Sequence, residues 1–239
     1  MNLTIITAVK NAESTIINLI ESLNRQIDKN FHWYIVDGGS TDNTLEIIKS
    51  NTLCPFEIFS SQDFSIYHAL NIGVKSIKSK YYVVAGSDDF FFDDFVQFVN
   101  KLIMDSNADI ILGGVQINES ISIFPQGRCD WFYGSDVAHS VGTIILKDLH
   151  SKFGYYSNRF PVVADKYFIK SAITANSKFI VSNHKFGNYA QSGYSSKYQI
   201  DYLCDLFKMQ IITGELIFLQ LLLLATRIML CKVRNLIQK

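Results

Sequence analysis

Polar and apolar positions alternate along this chain in short blocks. Runs rich in β-branched and aromatic residues at 3–8, 33–36, 56–59 and 81–85, uncharged but for Glu57, read as strands. Between them apolar residues recur at helical spacing. Ile16, Ile17, Ile20 and Leu23 share one face of a first helix, and 45–50 gives a second. Ile66, Ala69, Leu70, Ile72, Val74 and Ile77 mark a third over 65–79. A helix at 94–104 and a strand at 109–112 continue the rhythm, which predicts a doubly wound α/β fold around a parallel sheet. The second half is less regular, with a strand pair at 115–124, a strand at 141–146, a helix at 161–175 and a strand at 178–181. From residue 211 the chain turns sharply apolar. The predicted division is one domain over 1–205 and an apolar C-terminal helix over 206–239.

The strand at 81–85 stops abruptly on Gly86-Ser87-Asp88-Asp89. In open α/β sheets ligands bind beyond the carboxyl ends of the strands. Two adjacent carboxylates there, at the mouth of a dry core, are costly unless something neutralises them. A hard divalent cation, Mg²⁺ or Mn²⁺, is the simplest neutraliser. Capping of the next helix is the competing use for these acids, but Asp93 and Asp94 already stand just before it. The strand at 33–36 ends likewise in Asp37-Gly38-Gly39-Ser40, a pattern for a tight turn, a helix cap or close backbone approach to a ligand.

Composition narrows the class. Lys plus Arg and Asp plus Glu are 22 each, so no global charge recruits nucleic acid. The four cysteines stand far apart, with neither zinc spacing nor a disulfide framework. A reduced, cytoplasmic protein follows most simply. The first residues enter a strand directly, without the basic region of a secretory signal.

Three motifs stand in order: Ile35-Val36-Asp37-Gly38-Gly39-Ser40-Thr41-Asp42, Asp63-Phe64-Ser65-Ile66-Tyr67-His68-Ala69-Leu70-Asn71-Ile72-Gly73, and Gly86-Ser87-Asp88-Asp89. Together they resemble the inverting glycosyltransferases of family 2, in the bacterial branch that builds cell-surface polysaccharides. The resemblance covers about residues 2–195. It implies a GT-A fold and transfer of one sugar from a nucleotide-sugar, a UDP-sugar by preference, to a saccharide or polyprenyl-linked acceptor. It assigns Thr7, Asp37, Asp63, Asn71 and Asp88 to the nucleotide-sugar and Asp89 to the metal. Val163-Ala164-Asp165-Lys166-Tyr167-Phe168 resembles the segment bearing the catalytic base, which makes Asp165 that base. Gln191-Ser192-Gly193-Tyr194-Ser195 resembles the loop near the diphosphate. His139 stands where the family has a His-Gln pair near the acceptor, with Ser140 in place of the amide. Ser87-Asp88-Asp89 departs from a strict Asp-x-Asp but keeps its last acid, and Gly38 replaces an acid that relatives use near the base. Two rivals fit the same residues: a sugar-nucleotide-binding paralogue with weak turnover, and a nucleotidyltransferase of similar fold. The first strand is followed by Thr7-Ala8-Val9-Lys10-Asn11 rather than Gly-x-Gly-x-x-Gly, which disfavours a dehydrogenase.

The apolar tail carries a charge-free run of eleven residues, Leu216 to Thr226, against the ~20 that span a bilayer. Thr213, Gln220, Arg227 and Arg234 repeat every seven residues as a narrow polar stripe, and Lys232, Arg234 and Lys239 add positive charge. An in-plane helix over 211–239, peripheral on the inner face of the cell membrane, is the expectation. Packing on the domain or on a second copy of the chain is its rival.

Overall fold

The computed structural model describes residues 1–62, 65–117, 121–123, 139–190 and 199–237. Its elements run β1 (Leu3–Val9), α1 (Ile16–Asn24), β2 (Phe31–Asp37), α2 (Thr44–Asn51), β3 (Phe56–Ser60), α3 (Ile66–Ser76), β4 (Tyr81–Val84), β5 (Phe90–Phe91) and α4 (Phe95–Asp105). They continue as β6 (Ile110–Ile117), β7 (Ile121–Ile123), a 3₁₀ turn at Ser140–Gly142, β8 (Thr143–Leu146), α5 (Leu149–Phe153), α6 (Ala164–Thr174), β9 (Phe179–Tyr189), α7 (Gln199–Ile212) and α8 (Ile217–Ile237).

Among the described residues the strands form one sheet in the order β3-β2-β1-β4-β8-β6-β9-β5, with β7 paired to β6. Strands β3, β2, β1 and β4 are parallel, as the alternation predicts. The second half departs from it. β8 runs antiparallel between β4 and β6, and β5 runs antiparallel to β9. β6 and β9 remain parallel, so the second half mixes both directions and breaks the regular strand–helix rhythm.

Alternate residues of each central strand enter opposite cores. Ile5, Trp33, Ile35 and Val83 meet α1 and α4 on one face. Ile6, Tyr34, Val36 and Tyr82 meet α3, α6 and α7 on the other. With both faces dry, the strands carry near-continuous apolar runs, and the acids of β2 and of the β4 loop stand at or beyond the strand ends.

The apolar tail is two helices rather than one. Gly214 takes φ +89°, and the Glu215 N–H reaches back to the Gln210 carbonyl at 3.0 Å, closing α7 with a glycine stop. The division expected at 205/206 falls inside α7, whose Leu206 and Met209 lie in the α3–α6 core. Lys170 of α6, buried, meets Glu215 at 2.8 Å in the turn before α8. The polar stripe also differs in direction. Gln220 is 1% exposed and turned inward, while Phe218 on the outer face is 84% exposed.

Helix α3 lies against β1 so closely that a Cβ at Gly73 would come within 2.6 Å of Ile6 Cγ2. Alanine at this position would gain about 1 kcal/mol of helix propensity but overpack the contact by about 1–3 kcal/mol. Gly73→Ala should therefore lower the denaturant midpoint, with the slope unchanged; an equal or higher midpoint would show that the contact relaxes freely.

Candidate active site

Because β1, β2 and β4 are parallel and in register, the loops that follow them open on one edge of the sheet. The first two are sewn together. The Asn11 N–H donates to Ser40 Oγ at 3.0 Å, the Thr41 N–H to Asn11 Oδ1 at 2.9 Å, and the Ala12 N–H to Thr44 Oγ1 at 2.7 Å. Asp37, buried at the tip of β2, accepts the Gly39 and Ser40 N–H groups at 3.2 and 3.1 Å and so shapes its own turn. Thr7 is fully buried, and its hydroxyl accepts the Trp33 indole N–H at 3.0 Å. It braces β1 against β2 and presents no surface to a nucleotide.

Beyond β4 the two acids converge around Gly86. A Cβ on that residue would lie 2.8 Å from Asp88 Oδ1 and 3.1 Å from Asp89 Oδ2, so a side chain there would push the carboxylates from these positions. Asp89 is 2% exposed. Its Oδ2 accepts the Gly86 N–H at 2.7 Å and its Oδ1 the Ala190 N–H at 3.2 Å, which ties β4 to the end of β9. Burial, then the neighbouring charge of Asp88, pushes its pKa up to about 7, against the lowering by these two N–H groups. Each oxygen keeps a second lone pair for a cation. A hard divalent ion suits this pair, and among the described residues no third His, Cys, Asp or Glu joins them in a cage. On the same side the His139 ring stacks on Tyr189 at 3.8 Å, one residue before Ala190.

The other half of the site hangs from α3, which begins where β3 ends. Ser65 caps it, accepting the His68 N–H at 3.3 Å. Tyr67, in its first turn, brings its hydroxyl to 2.7 Å from Asp165 Oδ1. Asp165 sits half-buried in the first turn of α6, where the helix dipole favours a carboxylate. An open cleft of about 420 Å³ runs beside Tyr67, lined by Ser65, His68, Asn158 and Pro161. Asn71 has its amide engaged on the Tyr156 backbone, accepting the N–H and donating to the carbonyl, both at 2.9 Å. It clamps the segment before α6. Asp63 and 191–195 lie outside the described residues.

Two participants escape the motifs. Asp205 of α7 accepts the Val162 N–H at 3.0 Å, holding the residues just before Asp165. Beneath them lies a buried polar floor. The His150 Nδ1 faces the Gly154 carbonyl at 3.0 Å and must carry the proton, so Nε2 accepts from the Tyr82 hydroxyl at 2.6 Å. Burial lowers the pKa of His150 to about 4, which keeps the ring neutral. Tyr156 then donates to Tyr82 at 2.8 Å.

Residues 4–142 match the family model described as glycosyl transferase family 2. The chain belongs to that family. Glycosyltransferase GlyA of Streptococcus pneumoniae is 30% identical over 125 residues, which are 51% of this chain and 18% of that one. A PGL/p-HBAD biosynthesis glycosyltransferase of Mycobacterium tuberculosis is 26% identical over 170 residues, 67% of this chain and 65% of that one. The chain therefore spans less than a fifth of GlyA and about two thirds of the mycobacterial relative. Solved structures agree on the architecture. Staphylococcus aureus TarS 1–349 with UDP-GlcNAc superposes with a TM-score of 0.71 at 16% identity, covering 95% of this chain and 72% of that one. The mannosyltransferase PcManGT from Pyrobaculum calidifontis, in complex with GDP-mannose and Mn²⁺, also gives 0.71, at 14% identity, covering 97% and 75%. The fold of this family 2 chain is GT-A.

The raised Asp89 value has a definite consequence. A carboxyl whose folded pKa lies near 7, above the ordinary 3.8, stabilises the fold fully only below about pH 4, and that contribution is lost as pH rises to about 7. A bound cation would replace the proton. The rise in melting temperature on adding Mn²⁺ should therefore grow from pH 5.5 to pH 8. In Asp89→Asn it should be small and flat; an unchanged metal response in that variant would remove Asp89 from the metal site.

Proposed function

We propose that this chain transfers one sugar from a nucleotide-sugar, a UDP-sugar by preference, to a hydroxyl of a saccharide or lipid-linked saccharide, with inversion, in cell-surface polysaccharide synthesis. The observation that carries this reading is the pair of carboxylates around Gly86 at the carboxyl end of β4. Family membership supports it, as do GT-A neighbours solved with UDP, UDP-GlcNAc and GDP-mannose.

In this reading Asp89, with Asp88 beside it, would hold Mg²⁺ or Mn²⁺. When bound, that ion supplies Lewis-acid stabilisation of the leaving group. The Asp37 turn and the loop after β1 form the wall of the nucleotide pocket, with Asp63 assigned there as well. Asp165 takes the proton of the acceptor hydroxyl. The acceptor oxygen bonds to the anomeric carbon from the face opposite the diphosphate, and the carbon–oxygen bond to phosphate breaks with its electrons on the nucleoside diphosphate. Opposite-face attack inverts the anomeric configuration. His139, stacked on Tyr189, lines the acceptor side.

Helix α8 adds a location. Its outer face shows Phe218, Leu221, Leu222, Met229 and Leu230 to solvent while Gln220 is turned inward. This is the reverse of a water-facing helix and suits a face lying in the lipid interface, with Lys232 exposed at its end. No helix among the described residues is long and apolar enough to cross a membrane. We place the enzyme peripherally on the inner face of the cell membrane, beside a polyprenyl-linked acceptor.

Donors can be screened by metal-dependent release of nucleoside diphosphate, with product configuration read by NMR. Asp89→Asn and Asp165→Asn should each lower turnover by about 10²-fold or more. Pyrophosphate release would indicate a nucleotidyltransferase, and donor binding without turnover on any acceptor a binding paralogue. Separately, the full chain should float with anionic vesicles, and Phe218→Glu with Leu222→Glu should abolish flotation. A discrete dimer that ignores vesicles would instead assign the apolar face to a second copy of the chain.

A further inference from the structure

Tyr67 and Asp165 are 98 residues apart in the chain and 2.7 Å apart in the fold. The same phenol oxygen lies 3.0 Å from the Val162 carbonyl. A phenol has one proton, so it can satisfy only one of these two oxygens at a time. While Asp165 is ionised, the proton belongs on the carboxylate, which is nearer and charged. Once the carboxyl has gained the acceptor's proton on Oδ2, Oδ1 remains an acceptor and the phenol proton stays on it. Tyr67 thus has a bond to Asp165 in both states, and no heavy atom has to move. Burial, with the nearby charge of Asp165 adding to it, raises the phenol's own pKa well above the ordinary tyrosine value, so the proton is always present.

The remaining contacts say what this bond is for. Asn71, one helical turn after Tyr67, leaves the same face of α3 and holds the Tyr156 backbone at two points. Asp205 holds the Val162 N–H from the opposite side. Tyr67 packs its ring on Tyr156, with centroids 5.6 Å apart, and is itself buried. The backbone leading to α6 is therefore fixed by Asn71 and Asp205. Beyond that point the described hydrogen bond to the Asp165 carboxylate is the one from Tyr67.

We infer that Tyr67 is the positioning residue for the base: its hydroxyl aims the Asp165 carboxylate at the acceptor hydroxyl and stays bonded to it through the proton transfer. This rests on Asp165 being the base, as proposed above. The test is a double-mutant cycle on the full-length protein with metal, donor and acceptor present. Misplacement by about 1 Å can cost about 10²-fold in rate, so Tyr67→Phe should lower kcat by about 10- to 100-fold. The retained ring keeps the packing, so donor KM and nucleotide affinity should stay near wild type and Tm should fall by no more than about 4 °C. On the Asp165→Asn background, Tyr67→Phe should cause no further loss of kcat. Wild-type kcat in Tyr67→Phe alongside an inactive Asp165→Asn would overturn the inference and leave the base assignment standing. An equal loss on both backgrounds would overturn it too, as would a parallel fall in Tm and nucleotide affinity, which would mark a structural role. Wild-type turnover in Asp165→Asn would instead remove the base itself, an outcome readable from that single variant.

Discussion

Asp89 stands where a charge is hardest to keep. It is sealed between the end of β4 and the end of β9, it has a second acid as its neighbour, and only two backbone N–H groups are described as its donors. Such a carboxyl either holds a proton near neutral pH or finds a cation. Much of the architecture follows from creating that place. Helices cover both faces of the sheet, and the acids of β2 and of the β4 loop stand at or beyond the strand tips. Parallel pairing of β1, β2 and β4 then brings three tips together, and the apposition of β9 with β5 closes the fourth side. Helix α3 carries the second functional half to the same edge, since it starts where β3 stops.

The sequence shows best what local chemistry decides. The parallel half of the sheet was legible because buried strands need continuous apolar runs and their crossover helices need one apolar face. Asp88 and Asp89 stood out because two acids directly after Tyr81-Tyr82-Val83-Val84-Ala85 have no local reason to be there. The stop at Gly214 was missed: the apolar stretches on either side were read as one helix.

What could not be read depends on contacts between distant residues. A tyrosine at a buried helical position looks like core, and nothing local says that the Tyr67 hydroxyl meets a carboxylate in α6. Asp205 looks like a solvated acid, yet it is buried against Val162, 43 residues earlier. Thr7 and Asn71 have partners that their motifs do not show. Both matched family positions beside the nucleotide, and the fold engages them on Trp33 and on the Tyr156 backbone. A motif gives a residue's neighbourhood, whereas its hydrogen-bond partner depends on the whole chain.

The bond from Asp205 to Val162 ties the C-terminal hairpin to the segment that leads into Asp165. Helix α7 grips the strap before Asp165 from its middle, at Asp205, and turns at Gly214 into the outward-facing apolar helix. A shortened version ending near residue 205 would be easier to dissolve, but it would remove Leu206 and Met209 from the core that seats Asp205. The place to part the apolar helix from the strap is therefore the turn at Gly214, beyond the helix that holds Val162.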